Sequence, residues 1–193
     1  PLMMLGARQV GKTSVLKKFG EDCFDHCAYF SLDEEEGVCD IFRKTKNPLQ
    51  IIEQLSYLTS EPILPHHTLL ILDEIQDCPE AISAMKYFCE KTPEYAVACA
   101  GSLLGLAFGH QGFSFPVGKV DHMNMYPVTF SEFLEQRDAR LYQYYMSIDS
   151  LEPLPDVFFD RLSQAFTAYR ISGGMPAVAM KMIEKDLKGV ETT

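Results

Sequence analysis

The chain has 193 residues, of which 47% are hydrophobic and 23% charged. That suits a globular fold with one buried core, or one domain and the start of a second. A net charge of -10 argues against nucleic-acid binding through a broad basic surface.

No apolar run approaches the roughly 20 residues needed to cross a bilayer, and no signal-peptide pattern is present. The opening at Pro1, without an initiator Met, reads as a fragment or domain excerpt. Cys23, Cys27, Cys39, Cys78, Cys89 and Cys99 read as reduced thiols of a cytoplasmic protein. Cys23, His26 and Cys27 lie close together, but no second Cys/His pair at ligand spacing accompanies them, so a zinc site is not expected.

Leu2 to Leu5 is a short apolar run that ends in a glycine loop. Val15, Leu16 and Phe19 then recur at helical spacing over Thr13 to Phe19, with Gly20 as the expected stop. Cys27 to Leu32 predicts a second strand, and the acidic run Asp33 to Glu36 a solvated helix start. Asn47-Pro48-Leu49-Gln50 predicts a capped helix with Ile51, Ile52, Leu55 and Leu58 on its apolar face. Thr68 to Leu72 is a continuous apolar run, as in a parallel strand buried on both faces. Asp77-Cys78-Pro79-Glu80 predicts a capping box that opens a helix with Ile82, Met85 and Cys89 inward.

Tyr95 to Ala100 predicts a fourth strand, which runs into Gly101-Ser102, with a helix from Leu103 onward. A fifth, weaker strand is expected between Val120 and Met125. Strands and helices alternate with short loops, which implies an α/β fold: a parallel sheet with helices on both faces. From Pro127 the pattern is helical. Thr129-Phe130-Ser131-Glu132 caps a helix carrying Phe133, Leu134, Leu141 and Tyr145. Val157 to Tyr169 and Ala177 to Lys188 predict two more, separated by the turn Ser172-Gly173-Gly174-Met175-Pro176.

The strongest chemical signal is Gly6-Ala7-Arg8-Gln9-Val10-Gly11-Lys12-Thr13, a full G-x-x-x-x-G-K-[ST] phosphate-binding loop. A chance match in a chain of this length has a probability of roughly 1% or less. Glycines let successive N–H groups point into one concavity, and the helix that follows adds its positive end. Lys12 supplies a charge to the β- and γ-phosphates. The Thr13 hydroxyl is a hard oxygen ligand for Mg²⁺.

Leu70-Ile71-Leu72-Asp73-Glu74 is the second signal, an acidic pair at the end of a buried strand. Asp73 would hold Mg²⁺ through water, and Glu74 would polarise an attacking water. Ser102, at the tip of the fourth strand, either senses the γ-phosphate or simply caps the next helix.

These motifs resemble those of prokaryotic AAA+-type P-loop ATPases, in which a Gly-x-Arg-Gln-Val-Gly-Lys-Thr loop precedes an Asp-Glu-Ile-Gln Walker B motif. Here these are Gly6 to Thr13 and Asp73 to Gln76. The resemblance continues through Gly101-Ser102, Tyr126 to Leu134, and Gly173 to Pro176. It implies a five-stranded sheet of order 5-1-4-3-2 over residues 1–130. A helical lid, or the beginning of a winged helix, would fill residues 131–193. It also implies a C-terminal restriction-endonuclease-like domain, expected to be missing from this chain, and possible homo-oligomers.

The resemblance further implies ATP and Mg²⁺ as ligands, Arg8 at the rim of the loop, and Arg170 in the lid near the nucleotide. One departure is Lys119, where similar proteins commonly carry arginine. A lysine there offers charge without a planar fork, or is simply exposed.

The leading expectation is ATP hydrolysis coupled to lid movement, with Glu74, Lys12 and Ser102 as the catalytic set. The alternative is a slow nucleotide switch that regulates an attached domain. A metabolite kinase would need an arginine-rich lid, and the chain has only six arginines, with no such cluster.

Overall fold

The computed structural model describes residues 1–102 and 118–190. The helix expected from Leu103 onward lies outside the described residues. The chain divides into two compact units, Pro1–Met125 and Tyr126–Thr193.

In the first unit, β1 (Leu2–Gly6) leads through a loop to α1 (Lys12–Cys23) and β2 (His26–Ser31). Then come α2 (Glu36–Lys44), α3 (Pro48–Ser56), β3 (Thr68–Asp73), a 3₁₀ turn (Ile75–Asp77) and α4 (Pro79–Lys91). β4 (Ala96–Ser102) and β5 (Asp121–Met125) complete it. The sheet order is β2-β3-β4-β1-β5, with every pairing parallel. This is the expected 5-1-4-3-2 order, read from the opposite edge.

Alternation sorts the core. Leu70 and Leu72 point to the face covered by α2, α3 and α4, where Phe42, Ile51, Leu55, Met85 and Phe88 are buried. Leu69 and Ile71 point to the other face and pack with Leu16 of α1. β3 is buried along its whole length, so an uninterrupted apolar run costs nothing there. β5 is an edge strand and mostly exposed, which is why its sequence, Asp-His-Met-Asn-Met, gives so weak a strand signal.

Register matters more than packing for function. Gly6 lies opposite both Ser102 and Met125, and Ser31 lies opposite Asp73. The carboxyl ends of all five strands therefore share one edge of the sheet, the edge where ligands bind in open α/β folds.

Several local expectations are corrected. Gly20 does not stop α1, which continues to Cys23. A Cβ at Gly20 would lie 1.9 Å from Cys27 Sγ, so the glycine lets the helix pack closely on the sheet. Only Leu16 of the proposed apolar stripe is buried; Val15 and Phe19 are exposed. Leu58 is exposed, beyond the end of α3. Asn47 caps α3, but Gln50 bonds the Thr45 hydroxyl instead of closing a box. The box at Asp77 does not form either. Cys78 is the cap residue, without a side-chain bond, because Asp77 is drawn into the 3₁₀ turn. Cys89 is only half-buried.

The second unit holds α5 (Phe130–Arg137), α6 (Ala139–Met146), α7 (Asp156–Ser172) and α8 (Pro176–Val190). The Thr129–Glu132 capping box is complete in both directions. The single helix expected from there to Tyr145 is instead two. Asp138 ends α5 and caps α6 through the Leu141 N–H. Val128 donates its N–H to Gly174 O at 2.8 Å, and Tyr169 OH donates to Val128 O at 3.1 Å. A Cβ at Gly174 would sit 2.6 Å from Val128 O, so the Tyr126–Leu134 segment and the Gly173–Pro176 turn depend on each other.

The thiols give a direct test of this packing. Cys39, Cys78 and Cys99 are buried, whereas Cys23 and Cys27 are exposed. Burial pushes the Cys78 and Cys99 thiols up to about 12, which leaves almost no reactive thiolate at neutral pH. Under native conditions a disulfide reagent is expected to modify Cys23 and Cys27 and to reach Cys39, Cys78 and Cys99 only after unfolding. Mass mapping of labelled peptides would check this; early labelling of Cys99 would contradict the fold.

Candidate nucleotide site at the carboxyl edge of the sheet

The loop between β1 and α1 has the backbone that its glycines require. Gln9 has φ 64° and Gly11 φ 99°, both left-handed. Such turns gather successive N–H groups around an anion-binding hollow. The first bond of the α1 ladder runs from Val15 N–H to Gly11 O at 3.0 Å. The N–H groups of Lys12, Thr13 and Ser14 thus precede that ladder, at the helix's positive end. Ala7, Arg8 and Gln9 are exposed, whereas Val10 is buried and anchors the loop.

Gly6 has a separate duty. A Cβ there would meet Met125 O at 2.2 Å, so the loop's first glycine is needed for the close approach of β5.

Lys12 is 6% exposed. Its Nζ donates to Gly6 O at 3.1 Å and Ala7 O at 2.8 Å. The ammonium is folded against carbonyls of its own loop, at the hollow's wall. Burial lowers its pKa, opposed by the charges of Glu74 and Asp73 and reinforced by Arg8.

Thr13 Oγ1 donates to Asp73 Oδ2 at 2.6 Å. This bond joins the two residues expected to face Mg²⁺, one from α1 and one from the end of β3. Both supply hard oxygens, and together with the phosphate cradle they fit the cation. Asp73 is 5% exposed and fully engaged. Its Oδ1 accepts from the Glu74 N–H at 2.9 Å, and its Oδ2 also accepts from Tyr29 OH at 3.1 Å.

Tyr29 was not among the sequence candidates. It pairs with Ile71 in register, and Asp73 lies two residues further along the same face of β3. Lys17 Nζ sits 3.5 Å from the centre of its ring, a cation–π contact. Burial raises the phenol's pKa, as does its Asp73 neighbour, while a bond to Ser31 acts the other way.

Glu74 has φ 48° and ψ 45°, a left-handed conformation at a residue with a side chain. Such a conformation is uncommon for a non-glycine residue. It turns the chain sharply out of β3 into the 3₁₀ turn. Gln76, which the sequence offers only as the last residue of the Asp-Glu-Ile-Gln motif, donates from Nε2 to Glu74 Oε2 and to Asp77 Oδ2, and its Oε1 accepts from the Ser102 N–H at 3.1 Å. Ser102 is buried at the tip of β4, directly opposite Gly6.

Lys119 belongs elsewhere. Its Nζ pairs with Glu90 Oε1 of α4 at 3.2 Å.

A parallel sheet of this order, with a glycine loop opening α1 and an acidic pair ending β3, defines a P-loop nucleotide-binding domain. A family model described as an AAA domain matches residues 1–134, and the chain belongs to that family of P-loop ATPases. No curated protein matches the chain.

Among solved structures, it is similar to Drosophila ORC bound to DNA, with a TM-score of 0.50 and 13% identity over 95% of this chain and 54% of that one. It is also similar to the replication initiator DnaA bound to AMPPCP and single-stranded DNA, with a TM-score of 0.48 and 15% identity over 100% of this chain and 59% of that one. The chain thus spans between half and two-thirds of the length of each. At such identities the likeness is one of fold.

Proposed function

We propose that this chain binds ATP with Mg²⁺ and hydrolyses it, and that turnover moves the helical segment after residue 130. The observation that carries this reading is the Thr13–Asp73 hydrogen bond of 2.6 Å. It brings the hydroxyl of the phosphate loop and the carboxylate of β3 to one point beside Lys12 and Glu74. When bound, Mg²⁺ would neutralise charge on the phosphates. Thr13 would hold it directly, and Asp73 through water. The loop N–H groups and Lys12 would bind the β- and γ-phosphates. Glu74 would take the proton of the attacking water, and Ser102 would help to orient it.

Residues 1–130 form the nucleotide-binding core of this reading, and 131–193 its lid or the start of a winged helix. Among the described residues no helix is long and apolar enough to cross a membrane. We place the protein in the cytoplasm, as a possible homo-oligomer attached to a C-terminal domain of restriction-endonuclease type. Direct nucleic-acid binding by these 193 residues is not part of the proposal, given their net charge of -10. The ORC structure is bound to DNA, so DNA belongs in the test as an additive.

A second reading, a slow switch that regulates an attached domain, draws support from Lys119. Its tie to Glu90 gives it a partner away from any phosphate.

The two readings separate by titrating MgATP into the full-length protein by calorimetry and following phosphate release, with and without duplex DNA. Saturable binding with multiple turnovers is expected. Binding with a single slow turnover would favour the switch. Absence of nucleotide binding would overturn both.

A further inference from the structure

The Gln76 carboxamide stands between two strand tips. The 3₁₀ turn that carries it is fixed by Asp77 N–H to Glu74 O at 3.0 Å and Cys78 N–H to Ile75 O at 3.1 Å. Ile75 is fully buried and anchors the turn in the core. Gly101 leaves the space that the amide fills: a Cβ there would lie 3.1 Å from Ile75 Cγ2 and 3.2 Å from Gln76 Oε1.

The direction of the amide is dictated by its neighbours. Ser102 offers a backbone N–H, which can only donate, so Oε1 must face it. The NH₂ group then faces the carboxyl oxygens of Glu74 and Asp77, which accept from it. A reversed amide would set donor against donor and oxygen against carboxylate. One side chain therefore satisfies both strand tips in one orientation.

From this juxtaposition we infer that Gln76 is a positioning residue that locks the Glu74 carboxylate to the tip of β4. The inference rests on the hydrolysis reading above. Gln76 Nε2 takes Oε2 of Glu74 and leaves Oε1 to receive the proton of water. The same amide holds the Ser102 backbone, so base and β4 tip keep a fixed spacing. An unclamped Glu74 on its left-handed turn would sample other rotamers, and the rate would fall with the fraction of time the base is aimed. Nucleotide affinity would not, because the hydrogen bonds of Gln76 run to Glu74, Asp77 and the Ser102 backbone.

The test uses steady-state phosphate release from MgATP and calorimetric MgATP affinity on the full-length protein. Gln76→Met keeps the length of the side chain and removes its polar atoms. The expected result is a fall in kcat of about 10- to 100-fold, with KM and affinity changed by less than about twofold. Gln76→Glu keeps the acceptor for Ser102 but sets a new carboxylate against Glu74 and Asp77, and a larger loss is expected. In a Glu74→Gln background Gln76→Met should lower the residual rate no further, because its effect passes through Glu74.

An active wild type with an unchanged Gln76→Met variant overturns the inference alone. So does a loss that appears equally in the Glu74→Gln background, or one that tracks weakened binding in both Gln76 variants. If Gln76→Met does not fold, as judged by circular dichroism, Gln76→Glu carries the same comparison. An inactive wild type instead overturns the hydrolysis reading, and the kinetic role of Gln76 with it.

Discussion

Glu74→Gln is expected to lower steady-state ATP hydrolysis at least about 100-fold, the range for loss of a general base, while MgATP affinity stays within about twofold. An amide has no basicity at neutral pH, so it cannot take a proton from water. The substitution nevertheless preserves the local structure. The Glu74 backbone is held by its N–H bond to Asp73 Oδ1 at 2.9 Å and by the Asp77 N–H bond to its carbonyl at 3.0 Å. A glutamine at 74 can offer its own oxygen to Gln76 Nε2, so the side chain keeps its partner. Thr13 and Lys12 are untouched, and binding should survive. The measurement is phosphate release at saturating MgATP alongside calorimetric titration of the same preparation. Turnover at the wild-type rate would remove Glu74 from the role of base.

The parts of this site that were legible in the sequence are those whose chemistry is local. Gly6 to Thr13 must be contiguous, because one loop has to curl around one anion. Asp73 and Glu74 stand out because an acidic pair is costly after four apolar residues. The alternation of strands and helices showed a parallel sheet, whereas its strand order came from family resemblance. Tyr29 was hidden because its bond to Asp73 spans 44 positions and depends on the register of β2 beside β3. Gln76 stands in the sequence only as the end of the Asp-Glu-Ile-Gln motif. Its signal was a lone amide next to a buried isoleucine at a strand exit, but its partner, Ser102, arrives through β4.

Two of the corrections have different causes. Gly20 follows the local rule for a helix stop and a tertiary contact overrides it, whereas at Asp77 a competing local contact takes the capping carboxylate. Close packing on Cys27 carries α1 past Gly20, and the 3₁₀ turn engages the Asp77 carboxylate with Gln76. A tertiary contact also acts at Gly6, whose need for a bare Cα comes from Met125 O as well as from the loop.

Lys12→Met is expected to weaken MgATP binding by about 2–5 kcal/mol, the usual loss for truncating one member of a buried charge pair. That is at least about 30-fold in Kd. The lysine cannot be replaced by a neighbour, since Arg8 is exposed at the rim of the loop. The apo fold should survive. The variant loses two bonds to loop carbonyls but also sheds a buried cation, so its apo Tm is expected within a few degrees of wild type.

The clean readout is the ligand-dependent shift. At about 100 times Kd, nucleotide adds roughly 2.7 kcal/mol to the wild type, or about 5–10 °C for a chain of this size. With Kd raised at least about 30-fold, the variant should keep no more than about a third of it at the same concentration. pH supplies a second arm. Only the protonated ammonium attracts phosphate, and burial lowers the Lys12 pKa. As pH rises, wild-type affinity should therefore decline earlier than an ordinary solvated lysine would dictate, and the Met variant should lack that part of the decline. If the variant kept the full thermal shift, the ammonium that the apo loop holds against Gly6 and Ala7 would not be the group that turns to the phosphates.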